Sequence, residues 1–413
     1  MTYRLVTAYD GANADGFHVE AEDDRLIMHY PPETCVASGI SHDYAWSFNF
    51  GVENPGDAPL ELDVLLNCES ETGWSGQPFA LYTSRDPSLG FRLEDEVGKS
   101  DAYTRYVFKA RVLAGQTVYF SNTLARHYAT LESDFRGQAK RFGARVSEYG
   151  RSVEGRGLYA LEYGDLANGK PTVVITTGVH PPEGDTYASE ALADHLGSEP
   201  QPQCLERLNV VLIPMVNPDG FVHGINGSNV NGINLYWEFR PRRWRTRAPE
   251  AYYLWKYLLE LKPALYLDFH AYVTQKHKHM RPYLKPNWMY HGKEVRQVVE
   301  AMDGFLSDYC DGRAVRGYTT YGRTTLAYLL TRELNTVTYT KFHFHLGEGV
   351  PAVRRHAVAI FDGLCEILRD QEVTTAQQIV RPRGWRSRLL LAGAVLWGET
   401  KGYLRIVRDL LKS

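Results

Sequence analysis

Apolar and polar positions alternate through about the first 120 residues of the chain. Runs such as 45–52 and 60–66 place apolar side chains at every second position, and turn sequences such as Asn-Pro-Gly at 54–56 separate them. A period of two is typical of strands that bury one face. We therefore predict a β-sandwich domain over residues 1–125.

A different pattern begins near residue 123. Apolar residues first take a helical spacing, which predicts a connecting helical segment over 126–155. Strand-like apolar runs then alternate with amphipathic helical segments. The predicted strands are 171–178, 208–214 and 264–269, and the predicted helices are 186–196 and 249–261. This alternation indicates an α/β domain over 156–375, in which sites are expected beyond the carboxyl ends of the strands.

Two of these predicted strands end beside metal-binding residue types. The first is followed by His180 and Glu183, and the third is followed by His270, two residues after Asp268. Each residue alone fits an ordinary role in a loop, at a helix start or in the core. Catalytic zinc commonly takes three His or Glu ligands and a water. Because all three residues follow buried strands of one domain, we predict that they bind one zinc ion, with Asp268 orienting His270.

Five short motifs follow one another within residues 155–370. They are His180-Pro-Pro-Glu183, Pro214-Met-Val-Asn217-Pro218-Asp219-Gly220, Gly232-Ile-Asn-Leu235, Ala248-Pro249-Glu250 and Asp268-Phe-His270. In this order and spacing they resemble the zinc carboxypeptidases related to carboxypeptidase A, most closely the cytosolic carboxypeptidase branch. The resemblance implies a mixed eight-stranded sheet between helices, a zinc ion held by the same three residues, and a β-rich domain before the peptidase domain.

The chain differs from this family where a substrate carboxylate would bind. The family usually carries an arginine and an Asn-Arg pair, and the matching positions here are Gly227 and Tyr236-Trp237. Bidentate arginine contacts are strong and specific, so their loss argues against recognition of a free peptide C-terminus. Arg240 in the following loop is a candidate replacement, although it also fits a solvated surface position. Tyr321, in a Gly-rich loop, is the second candidate substrate-binding residue.

The general base depends on which segment forms the last strand. In one register, 324–334 is a helix and 337–345 is the strand, so Thr340 takes the place of the family's glutamate. In the other, the strand is 328–334 and Glu333 is retained as the base. Helical spacing of the leucines favours the first register. In that register His343, His345 and Glu348 are replacement candidates, because they lie on or just after the strand's carboxyl end.

Composition limits the class of partner. The formal net charge of −3 gives no overall attraction to nucleic acid, and we expect no nucleic-acid partner. Five widely spaced cysteines without a CxxC pair, together with an N-terminus unlike a secretion signal, predict reduced thiols and a cytoplasmic location. The basic and then apolar tail over 376–413 fits a packed helix better than a helix at a membrane surface.

The leading hypothesis is a zinc-dependent hydrolase that cleaves an amide bond in a peptide-like or acyl-amino substrate. Two alternatives remain open. One is a zinc-binding protein that has lost hydrolysis. The other is a family member used for acyl transfer or a biosynthetic step. All three predict zinc, whereas only the first predicts amide turnover.

Overall fold

The structure is a computed structural model that describes a large part of the chain. The described residues are 3–370, apart from 14–16, 22–23, 31–32, 38, 44–46, 69–80, 94–98, 101–104, 273–281, 313–314, 317–323 and 346–348. The predicted candidates Tyr321 and Glu348 and the tail over 376–413 lie outside the described residues. In the described part of the chain, no helix is long and apolar enough to cross a membrane.

The first 125 residues form two five-stranded sheets and a small hairpin. The strands are β1 (Arg4–Val6), β2 (His18–Ala21), β3 (Arg25–Tyr30), β4 (Thr34–Ala37), β5 (Ile40–Asp43), β6 (Asn49–Glu53), β7 (Leu60–Cys68), β8 (Tyr82–Ser84), β9 (Arg92–Leu93), β10 (Lys99–Ser100), β11 (Arg105–Val112) and β12 (Thr117–Ser121). The sheet orders are β1-β6-β12-β8-β9 and β10-β11-β7-β3-β2, and β4 and β5 form the hairpin. Phe50 and Phe120 from the first sheet share one core with Val64 and Phe108 from the second.

Alternation along β7 shows why this region folds as strands. Leu62 and Val64 are buried, whereas Asp63 between them is exposed and pairs with Lys109 of β11 at 3.1 Å. Asp63 and Lys109 are also directly opposite in the antiparallel ladder. The apolar face therefore closes the core while the polar face is stabilised by cross-strand ion pairs.

The rest of the described chain is an α/β unit. Its helices are α1 (Tyr128–Phe142), α2 (Thr186–Leu196), α3 (Pro218–His223), α4 (Pro249–Leu261), α5 (Lys293–Tyr309), α6 (Leu326–Leu334) and α7 (Val350–Asp370). Its strands are β13 (Arg145–Arg151), β14 (Gly157–Tyr163), β15 (Thr172–Thr176), β16 (Asn209–Ile213), β17 (Leu265–Tyr272), β18 (Tyr283–Leu284), β19 (Val315–Arg316) and β20 (Val337–His345). Short 3-10 helices lie at Pro87–Leu89, Pro181–Glu183, Gln203–Glu206 and Asn287–Met289.

The central sheet is mixed, as the resemblance implies, but it is smaller. Its order is β13-β14-β16-β15-β17-β20, so the described residues give six strands and not eight. The pairs β15–β16, β15–β17 and β17–β20 are parallel, while β13–β14 and β14–β16 are antiparallel. The short strands β18 and β19 pair with each other and form a separate sheet.

Helices cover both faces of the central sheet. Leu192 of α2 and Phe361 of α7 pack on the face that includes Ile175. Leu254 of α4 packs on the opposite face with Val174. Because both faces are covered, every residue of β15 is buried, which explains its continuous apolar run.

The ends of α6 decide the register of the last strand. The Thr325 side chain accepts a hydrogen bond from the Tyr328 N–H at the helix start, and Asn335 ends the helix in the left-handed conformation at φ 60°. The strand then begins at Val337, which pairs with Leu265. The first predicted register is therefore confirmed, and the alternative in which residues 328–334 form a strand is wrong.

Candidate functional site

Three buried side chains meet at the carboxyl edge of the central sheet. His180 follows β15, Glu183 ends the adjoining 3-10 helix, and His270 lies in β17. One ligand atom from each residue lies within 4.8 Å of the other two, and all three residues are buried. The structure therefore brings together the three predicted metal ligands.

Local backbone geometry delivers His180 to this point. Gly178, directly after β15, has φ +65°, which side chains rarely adopt. A Cβ there would lie 2.9 Å from the Phe221 ring and 3.1 Å from the Pro214 carbonyl oxygen. The chain can therefore turn closely from the strand into the His180 loop only with glycine at this position.

The ring nitrogens of both histidines are arranged for a metal ion. The Nδ1 atoms of His180 and His270 lie 2.9 and 2.8 Å from the two oxygens of Glu183. Their Nε2 atoms face outward, to Asn234 Oδ1 at 3.4 Å and to Asp268 Oδ2 at 3.0 Å. An outer acceptor that takes the Nε2–H leaves Nδ1 free as a ligand. This donor set of two imidazoles and a carboxylate fits zinc.

Opposite charges couple the three side chains of the triad. Burial alone would lower the pKa of His270, but Asp268 and Glu183 outweigh it and raise that pKa to about 10. Burial alone would raise the pKa of Glu183, but the two histidines hold it well below its usual range. Zinc ligands must be deprotonated, so a zinc ion held by these three residues would displace a proton from the cluster.

Two buried aspartates form hydrogen bonds next to the triad, one with a ligand and one with the loop that carries His180. Asp268, as predicted, accepts from His270, and it also accepts a hydrogen bond from the Thr176 hydroxyl at 2.8 Å. Asp185 accepts from the Gly178 N–H at 3.1 Å, and burial holds the pKa of Asp185 well above its usual range. Sequence analysis did not single out Asp185, although it lies two residues after Glu183.

Aromatic rings form the wall beside the metal ligands. The Tyr236 ring lies 5.3 Å from the His270 ring and 6.3 Å from the His180 ring, and the Trp237 ring meets it edge-on at 4.8 Å. The Tyr236 hydroxyl lies 3.2 Å from Thr340 Oγ1. We call Tyr236 and Trp237 the substrate wall. In this chain the wall is neutral where the resembled family has Asn-Arg.

Asn234 joins the wall to the metal ligands, and sequence analysis did not assign it a role. Its side-chain oxygen accepts from the Tyr236 and Trp237 N–H groups at 3.0 and 2.9 Å, in addition to facing His180. The residue is fully buried. Its place in the Gly232-Ile-Asn-Leu motif was the available signal.

The structure does not bring Glu333 to the triad. Glu333 lies in α6 and pairs with its neighbour Arg332. The helix leads into the amino end of β20, whereas His270 is opposite residue 343 near the other end. Six residues of strand span roughly 20 Å, so Glu333 cannot serve as the base.

The other predicted site residues lie in different surroundings. Residue 343 pairs with His270 in the parallel ladder, at the level of the metal ligands. Arg240 forms an ion pair with Glu238 at 2.8 Å and is about one-third exposed. Its guanidinium lies near Gly39 of the β4–β5 hairpin.

Comparison with known proteins identifies the family that this site resembles. Residues 136–283 match the model of the zinc carboxypeptidase family. Carboxypeptidase A1 of Sus scrofa is 34% identical over 80 residues, which is 18% of this chain and 19% of that protein. Cytosolic carboxypeptidase 1 of Homo sapiens is 29% identical over 125 residues, 27% of this chain and 10% of that protein. The matched stretch thus spans a fifth or less of these relatives.

Solved structures agree over most of the chain. A metallo-carboxypeptidase of Pseudomonas aeruginosa, in complex with (2-guanidinoethylmercapto)succinic acid, has a TM-score of 0.71 at 16% identity, covering 89% of this chain and 100% of that one. A metallo-carboxypeptidase of Burkholderia cenocepacia has a TM-score of 0.70 at 15% identity, with the same coverage of 89% and 100%. The predicted resemblance and the carboxypeptidase-like fold are confirmed.

Proposed function

We propose that this chain, a relative of the zinc carboxypeptidases, is a zinc-dependent hydrolase of the metallocarboxypeptidase type that cleaves an amide bond. The observation that carries the proposal is the buried triad of His180, Glu183 and His270, in which both Nδ1 atoms face one carboxylate. Zinc bound there would polarise a carbonyl and lower the pKa of a water toward 7.

The substrate we propose is peptide-like or acyl-amino and is not selected through a free carboxylate. Tyr236 and Trp237 offer aromatic surface and no positive charge beside the ligands. Arg240 is already paired with Glu238, which weakens its case as a substitute. Tyr321 is retained as a candidate to cover the substrate.

For the general base we propose His343, with Glu348 as the second candidate. Strand positions alternate between two faces, and Phe342 packs against Phe269 in the core. Position 343 follows Phe342 along β20 and lies opposite His270 in the parallel ladder. By the resemblance, Thr340 takes the position of the family's glutamate, and a threonine hydroxyl cannot take up a proton near neutral pH.

The test uses paired substrates and two histidine variants. Purified protein with about one zinc per chain is assayed for amine release from acyl-dipeptides as free acids and as C-terminal amides. We expect both forms to be cleaved at similar kcat/KM, and His343→Ala to lower kcat by about 100-fold or more. His356→Ala, which removes an imidazole bonded to Tyr309, is the control.

A second candidate function is zinc binding without hydrolysis. It is favoured by Thr340, because the position of the family's base lacks a titratable group. Full zinc occupancy with no turnover of any amide would support this candidate and contradict the first. Appearance of an acyl-transfer product when an amine acceptor is added would support the use of the site in transfer or biosynthesis.

Two further proposals concern the chain as a whole. The shared core of the two N-terminal sheets supports a β-sandwich over residues 1–125. Among the described residues, four buried cysteines form no disulfide, which supports a cytoplasmic location; they are Cys35, Cys204, Cys310 and Cys365.

A further inference from the structure

The segment that carries the substrate wall has almost no regular structure of its own. Between the end of α3 at His223 and the start of α4 at Pro249, the chain runs through turns. Yet this segment presents Asn234, Tyr236 and Trp237 to the metal ligands. Its position must therefore be fixed by contacts from outside the segment.

Strand β4 of the N-terminal region provides backbone contacts to this segment. The Val36 N–H donates to the Gly232 carbonyl at 2.7 Å, and the Asn234 N–H donates to the Val36 carbonyl at 3.0 Å. Val36 and Ile233 thereby form a parallel bridge. The segment is held as if it were an added strand beside the β4–β5 hairpin.

Glu33, just before β4, contacts the same segment through its carboxylate. It accepts from the Asn226 N–H at 2.9 Å, from Asn226 Nδ2 at 2.5 Å and from the Gly227 N–H at 3.3 Å. Gly227 is the position at which the resembled family carries an arginine. In this chain that position binds a carboxylate from the N-terminal region.

Two more contacts extend the attachment at either end. The Ser47 N–H donates to Asn226 Oδ1 at 2.6 Å, and the Gly39 N–H donates to Glu238 Oε2 at 2.5 Å. The N-terminal contacts therefore span the segment from Asn226 to Glu238, on both sides of Asn234.

One residue links these contacts to the histidine ligand. The backbone N–H of Asn234 donates a hydrogen bond to the Val36 carbonyl. The side-chain oxygen of Asn234 faces His180 Nε2 and accepts hydrogen bonds from the Tyr236 and Trp237 N–H groups. Displacement of the segment would move the acceptor of His180 and the substrate wall together. Residues that hold a ligand's outer acceptor act on the metal without touching it.

We propose that Glu33 and Val36 are positioning residues of the zinc site. The N-terminal region thereby helps to fix the geometry of that site. The measurement of zinc affinity rests on the proposed function, because it requires that the chain bind zinc. Glu33 and Val36 act through segment 226–238 and Asn234 on His180 and the wall. Neither residue contacts substrate or metal in this role.

The experiment measures zinc affinity by competition with a chelator in the full chain. Glu33→Ala is expected to weaken zinc binding roughly three- to ten-fold, less than loss of a direct outer acceptor would. Val36→Pro removes the N–H that donates to Gly232 and is expected to act in the same direction. Glu33→Gln keeps one acceptor oxygen and should fall between wild type and Glu33→Ala. The matched control is Glu61→Ala, which removes an exposed N-terminal carboxylate paired with Arg111.

A second readout does not require zinc. Hydrogen exchange in the metal-free chain is expected to be faster at the amides of 234–237 in Glu33→Ala than in wild type, with the amides of β15 unchanged. If wild type binds no zinc, the proposed function fails while this readout still decides the positioning role. Unchanged zinc affinity together with unchanged exchange at 234–237 would overturn the inference, even if Glu33→Ala lowers the melting temperature.

Discussion

The metal side and the substrate side of the candidate site are built on different principles. On the metal side, His180, Glu183 and His270 are charged or polar groups that bond to one another, and Asp268 supports them from behind. On the substrate side, Tyr236 and Trp237 are neutral and pack edge to face. The two sides therefore differ in chemistry, because one is charged and hydrogen-bonded and the other is neutral and aromatic.

The difference also appears in how the polar groups are satisfied. Asp268 accepts from both His270 and Thr176, so its two oxygens are used. On the substrate side, Asn234 Nδ2 is buried and finds no acceptor among the residues that the structure describes. A buried donor without a partner costs about 1–3 kcal/mol.

The largest expected effect is loss of a metal ligand. His180→Ala leaves two ligands, and we expect zinc affinity to fall by at least about 100-fold with loss of amide turnover. The measurement is zinc content after dialysis, together with amine release. His195→Ala, which removes a partly exposed imidazole bonded to Asp362, should retain both. One zinc per chain in His180→Ala would show that the metal side is wrongly assigned.

Loss of the hydrogen-bond acceptor behind a ligand should lower zinc affinity less than loss of the ligand itself. Asp268→Asn keeps an acceptor for His270 but removes the negative charge, and we expect zinc affinity to fall about 10-fold or more. Chelator competition measures this change. Asp63→Asn, in the exposed ion pair with Lys109, should leave zinc affinity unaltered, and an equal effect of both variants would point to general destabilisation.

A charge introduced into the wall tests the neutral substrate side. Trp237→Arg is expected to raise kcat/KM for free-acid substrates relative to their amides by roughly 10-fold, because guanidinium binds carboxylate strongly. Trp237→Ala removes the ring without adding charge and serves as the control. An unchanged acid-to-amide ratio in Trp237→Arg would mean that Trp237 does not face the substrate.

The smallest expected effect is on the pH dependence of stability and comes from Glu250, which hydrogen-bonds to the loop before the wall. Its carboxylate accepts from the Val153 N–H and from Asn229 Nδ2, both at 3.1 Å, yet burial raises its pKa from about 4.5 to about 7. The folded state then binds a proton more tightly than the unfolded state. The free energy of unfolding should fall as pH rises from 4.5 through 7, by up to about 3 kcal/mol from this group.

Glu250→Gln should remove most of the decrease in the free energy of unfolding with pH, while zinc content and kcat/KM stay unchanged. Urea unfolding between pH 4.5 and 8 measures it, with the exposed Glu260→Gln on the same helix as control. If Glu250→Gln has the same pH dependence as wild type, the carboxylate is not desolvated as described.

Much of the fold and the metal side could be predicted from the sequence, because each depends on local pattern. The predicted helix 186–196 and the predicted helix 249–261 coincide with α2 and α4. The ligands follow strands, and parallel strands bring their carboxyl ends to one edge, so His180 and His270 could be expected to meet. Leucine spacing alone also favoured the register of β20 that the structure has.

The rest depended on contacts between residues far apart in sequence. Asn234 and Glu33 are separated from the residues they support by long stretches of chain, and no periodicity marks either of them. The place of Glu333 away from the triad followed only from the direction of β20 beside β17. The sequence alone determined which side chains can bind a metal, because that is a property of residue type and spacing. The tertiary structure decided what surrounds them, because burial, the outer acceptor Asn234 and the placement of the aromatic rings beside the histidines arise only when distant segments pack together.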